Sequence, residues 1–133
     1  MKEEELPANI LTLTSLLSYR ANKTPDREAF SFLKNGEIIT DQITYGELEK
    51  RAKHFADQLK ANVKKNDRVL LLYQPGIEYI IALFACFYAD VIAVPAYPPH
   101  LKKLDERLLS IINNCEPKIA VCDEQTPNKE KAL

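Results

Sequence analysis

Glycine is scarce in this sequence: Gly36, Gly46 and Gly76 are the only three in 133 residues, and they stand far apart. Neither G-x-G-x-x-G nor G-x-x-x-x-G-K-[ST] can therefore be written anywhere, which excludes the common glycine-built phosphate cradles. No serine sits in the G-x-S-x-G setting of a hydrolase nucleophile. The two histidines, His54 and His100, are distant and form no H-E-x-x-H pair. Cys86, Cys115 and Cys122 make an odd count without a C-x-x-C pair, so buried free thiols are expected rather than a metal site or disulfide. Long apolar runs are missing too. The longest, IIALFACFYA from Ile80, is too short to cross a bilayer and suits a buried helix. A net charge of −1 provides no basic field for nucleic acid. The acidic opening MKEEELPAN carries no apolar signal core, so a cytoplasmic location is expected.

What is present is an ordinary globular composition, 46% hydrophobic and 28% charged. A chain of this length is expected to be one domain with a real core. Leu13, Leu16, Leu17 and Ala21 recur at helical spacing within Leu11 to Ala21, and Pro25 stops that helix. EAFSFL and EIITDQIT alternate in strand fashion around Asn35-Gly36, a strong hairpin signal. Thr44 and Glu47, three apart, form the signature of a capping box. Tyr45, Leu48, Ala52, Phe55, Ala56 and Leu59 line one face of the helix that follows, with His54 as a surface residue beside the stripe.

From Arg68 the rhythm changes. RVLLLY reads as a buried strand, the turn QPG leads to a helix from Ile77 to about Ala89, and Val91 to Val94 reads as a second buried strand. Pro95, Pro98 and Pro99 are then expected to end it, since proline donates no ladder hydrogen bond. LDERLLSIINNC is an amphipathic helix with Leu104, Leu108, Leu109, Ile111 and Ile112 inward, and KIAVCD is a third buried strand. Strands alternating with helices predict an α/β fold. A parallel sheet covered by helices with right-handed crossovers follows an N-terminal helix and β-hairpin.

In open parallel sheets ligands bind beyond the carboxyl ends of the strands. Those ends are Tyr73-Gln74-Pro75-Gly76, Pro95-Ala96-Tyr97 and Asp123-Glu124. The Pro95 to Pro99 loop reads first as a stiff connection and second as a ligand wall whose prolines lower the entropy of ordering. Tyr73, Tyr79, Tyr88 and Tyr97 are candidates for core or pocket wall. Lys102, Lys103 and Arg107 read as a solvated helix face rather than an anion site. No catalytic, cofactor-binding or metal residue is assigned.

Two stretches carry a resemblance. ITYGELEKRA (Ile43 to Ala52) resembles the first core motif of the adenylate-forming, acyl-activating enzymes, and ALFACFYADVIAVPAYPP (Ala82 to Pro99) resembles the second. The ending Ala-Val-Pro-Ala-Tyr-Pro-Pro is the form that resembles fatty acyl-AMP ligases in particular. The resemblance runs from about Leu13 to Asp123. It implies a complete enzyme that uses ATP and Mg²⁺ to convert a fatty acid to an acyl-adenylate, passing the acyl group to a carrier protein. Catalysis of that kind rests on positioning and charge neutralisation. The phosphate loop, nucleotide contacts and catalytic lysine of the family have no counterpart in these residues. The resemblance therefore implies that residues 1–133 are an incomplete N-terminal subdomain, inactive alone, needing no cofactor by itself and prone to self-association. DEQTPNKEKAL, where a new helix is expected at Pro127, agrees with that reading. A freestanding α/β interaction or scaffold domain is the alternative, and a small nucleotide-binding module is disfavoured by the glycine shortage. Asp90 stands where the family usually has glycine, and aspartate tolerates the left-handed helix cap expected there.

Overall fold

The computed structural model describes residues 6–98 and 106–123. Helix α1 (Leu13–Lys23) is followed by the hairpin of β1 (Glu28–Lys34) and β2 (Ile38–Thr44). Helix α2 (Tyr45–Lys60), strand β3 (Arg68–Leu72), helix α3 (Ile77–Tyr88), strand β4 (Ile92–Ala96), helix α4 (Glu106–Cys115) and strand β5 (Ile119–Cys122) complete the order. β1 and β2 pair antiparallel, and β3 pairs parallel with both β4 and β5, giving the order β4-β3-β5. The expected α/β architecture is present.

Central β3 divides two cores by the period of two that every strand imposes. Val69, Leu71 and Tyr73 face α2 and α3 with Ala56, Leu59, Ala82, Ala85 and Cys86. Leu70 and Leu72 face the opposite side, against Leu108, Ile111 and Ile112 of α4. A third cluster, Leu17, Ile43, Leu48, Ile77 and Ile81, packs α1 and the hairpin onto α2 and α3. Burying one leucine of this kind contributes about 1.5–3 kcal/mol.

Local chemistry fixes the joints. Asn35 and Gly36 both have positive φ, 55° and 73°, and the Glu37 N–H donates back to the Lys34 carbonyl, closing a tight turn; Lys34 pairs with Ile38, so three residues connect the strands. At the start of α2 the Thr44 hydroxyl accepts from the Glu47 N–H, but this is only half of the expected box. The next two amides, Tyr45 and Gly46, donate to the carbonyls of Arg27 and Pro25. That approach is close: a Cβ on Gly46 would stand 3.1 Å from the Pro25 oxygen. A complete box does form at α1, where Thr12 and Ser15 exchange side-chain bonds with each other's amides. Helix α3 ends in a Schellman motif. Asp90 takes φ 58°, its N–H donates to Phe87 and the Val91 N–H donates to Cys86.

Several expectations are corrected. Pro95 does not end the second strand but lies inside β4, opposite Leu71. The Ile92 N–H donates to the Asp67 carbonyl, so by alternation positions 92, 94 and 96 face β3 and position 95 faces outward. The missing proline donor thus costs no ladder bond, and it blunts the outer edge of the strand. Neither β4 nor β5 is buried as expected; both are half-buried edges of the described sheet, and only β3 is enclosed. Val91 is buried but precedes the strand, as the second residue after the α3 cap. Leu109 is exposed rather than inward, and Leu13, at the first position of α1, is exposed too. Of the free thiols only Cys86 is buried; Cys115, which ends α4, and Cys122, which ends β5, are half-buried. Leu104, Pro99, His100, Lys102, Lys103, Glu124 and the helix expected at Pro127 lie outside the described residues.

Candidate functional site

The ends of β3, β4 and β5 point the same way, as parallel strands must, and the segments that follow them enclose two hollows. The larger, about 710 Å³, lies between Tyr73-Gln74-Pro75-Gly76 after β3 and Cys122-Asp123 at the end of β5. Arg51 and Phe55 of α2 and Glu78 of α3 close its side. The smaller, about 280 Å³, lies between Tyr73, Pro75 and Tyr79 on one side and Pro95, Ala96 and Tyr97 on the other, with Arg107 at its rim. Tyr73 and Pro75 are the ridge that the two share.

The walls differ in chemistry. In the larger hollow the Arg51 guanidinium donates to the Glu78 carboxylate at 2.6 Å. Both side chains are half exposed, so the pair adds little stability and mainly fixes where the two charges sit. Asp41 and Asp123 also line this hollow, which leaves its described wall net acidic. Burial holds the Tyr73 phenol well above its ordinary range, and the nearby Cys122, Glu78 and Asp123 add to the effect. It therefore keeps its proton throughout the physiological range and is a donor, not a base. The smaller hollow is mostly aromatic and proline surface, and the Arg107 guanidinium lies 5.3 Å from the centroid of the Tyr97 ring.

Helix α3 starts at this site with Gly76 as its cap residue, and no side chain bonds to its first amides. Gly76 has φ 165°, extended backbone that needs no glycine. Among the described residues no three of His, Cys, Asp and Glu come together as metal ligands.

All three strand ends read from the sequence reach the site, apart from Glu124 outside the described residues. Tyr79 and Tyr97 are pocket wall as one of their two readings had it. Tyr88 is not. Its hydroxyl lies 3.1 Å from Ser18 Oγ and 3.3 Å from the Thr14 carbonyl, joining α3 to α1. His54 is an exposed residue of α2. Arg107 is exposed, as the solvated-face reading had it, and its guanidinium lies over the Tyr97 ring at the rim of the smaller hollow. Sequence reasoning missed Arg51, Phe55 and Asp41. Arg51 and Glu78 are 27 residues apart, and nothing local marks them as partners.

Comparison with known proteins agrees with this architecture. The AMP-binding enzyme family matches residues 17–133, and the chain belongs to that family. It is 42% identical over 115 residues to the medium-chain-fatty-acid–[acyl-carrier-protein] ligase JamA of Moorena producens, covering 84% of this chain and 19% of that protein. The crystal structure of a fatty acid AMP ligase from Legionella pneumophila superposes with a TM-score of 0.77 at 37% identity, over 84% of this chain and 19% of that one. Disco-interacting protein 2 homolog B of Homo sapiens is 34% identical over 113 residues, 84% of this chain and 7% of that protein. The chain thus spans about a fifth of the length of these two ligases.

Proposed function

We propose that this chain is the front part of the large N-terminal domain of a fatty acyl-AMP ligase. The whole enzyme activates a fatty acid with ATP and Mg²⁺ to an acyl-adenylate, and then transfers the acyl group to a carrier protein in the cytoplasm. The observation that carries the reading is the 42% identity with a fatty-acid–carrier-protein ligase over 115 residues. An alignment that long takes in both stretches that resemble core motifs. The fatty acyl-adenylate ligase from L. pneumophila solved in complex with acyl adenylate and pyrophosphate, 37% identical to this chain, supports the same reaction class.

The described residues do not by themselves fit a nucleoside triphosphate. Its charge needs cations and convergent amide or hydroxyl donors. The larger hollow instead presents Asp41, Glu78 and Asp123, and its Arg51 is already paired. What these residues do is structural within the site. The Tyr73–Pro75 ridge and the β4 end with Tyr97 form walls stiffened by proline, which lose little entropy when a ligand orders against them. Their aromatic surface keeps water away from whatever sits beside them.

The 133-residue chain alone is expected to give no ATP–pyrophosphate exchange with any fatty acid. Its ATP binding should be no tighter than roughly millimolar, about 4 kcal/mol. It should also bind apolar dyes or self-associate, since Leu33, Ile38 and Ile39 on the hairpin and Ile92 on β4 are exposed. Fatty-acid-dependent exchange from the isolated chain, with contaminating ligases excluded, would overturn the proposed division of labour. A monodisperse monomer that ignores such dyes would favour the freestanding-domain reading.

A further inference from the structure

No further inference is drawn: the strongest candidate outside the site already described, the exposed apolar surface of the β1–β2 hairpin formed by Phe30, Leu33, Ile38 and Ile39, carries nothing because nothing in the structure shows what covers it.

Discussion

Replacing Asp90 with glycine isolates the conformational cost of one residue. Asp90 sits just past the end of α3 with φ 58°, and its backbone makes two bonds that hold the turn. Its N–H donates to Phe87, and its carbonyl accepts from Asn66 at 2.8 Å. Glycine keeps both bonds. It also removes the clash between Cβ and the following carbonyl, which costs ordinary residues about 1–2 kcal/mol and aspartate less. Against this, glycine adds backbone freedom to the unfolded chain, worth about 0.4–1 kcal/mol. The exposed side chain of Asp90 has no hydrogen bond among those described, so no other loss enters. The balance favours Asp90→Gly by up to about 1 kcal/mol, or roughly 3–5 °C in Tm for a domain of this size. Urea denaturation of both variants should show a higher midpoint for glycine at unchanged slope. Asp90→Val should move the midpoint down by more than glycine raises it, because a β-branched residue resists positive φ. If glycine lowers the midpoint, the left-handed cap does not limit stability and the reasoning fails.

Three further outcomes follow from the packing. Tyr88→Phe removes the hydroxyl that meets Ser18, the Thr14 carbonyl and Glu49, and should cost about 1–2 kcal/mol. It should also speed amide exchange in α1, and unchanged exchange there would show that the helix is held by apolar contacts alone. Burial pushes the Cys86 thiol up to about 12 from its ordinary 9.0, so the folded state holds that proton more tightly than the unfolded state. Its contribution is therefore complete below pH 9 and lost as pH rises toward 12, and Cys86→Ala should flatten the alkaline fall of Tm measured across that window. Pro95→Ala restores only an outward-facing N–H, so it should cost less than about 1 kcal/mol and increase self-association by sedimentation. A loss of several kcal/mol would place position 95 in the ladder instead.

Local signals carried most of the architecture. The continuous apolar run RVLLL could only be an enclosed strand, and Asn35-Gly36 could hardly avoid a tight hairpin turn. The positive φ of Asp90 was legible only through the family resemblance, which puts a glycine at that position. What escaped the sequence depends on neighbours far along the chain. Whether β4 is central or an edge is decided by strand order, and only then does Pro95 change from a terminator to a tolerated edge residue. At the start of α2 the carbonyls of Pro25 and Arg27 accept from the Gly46 and Tyr45 amides, a contact that a Thr-x-x-Glu pattern cannot reveal. The box at α1 escaped because Ser15, not a glutamate or glutamine, completes it. At the site, the strand ends followed from the parallel-sheet rule, whereas Arg51 and Glu78 meet only because α2 packs on α3.

The central claim is that this chain supplies the front of a fatty acyl-AMP ligase and the remaining sequence of such an enzyme supplies the chemistry. It is tested most directly by a chimera in which Leu13 to Asp123 replaces the aligned segment of the Legionella pneumophila fatty acid AMP ligase, which is 37% identical to this chain. The account predicts ATP–pyrophosphate exchange that depends on added fatty acid and lies within about tenfold of the parent, or about 1.4 kcal/mol in the barrier. A chimera that folds with the stability of the parent yet gives no exchange would contradict it.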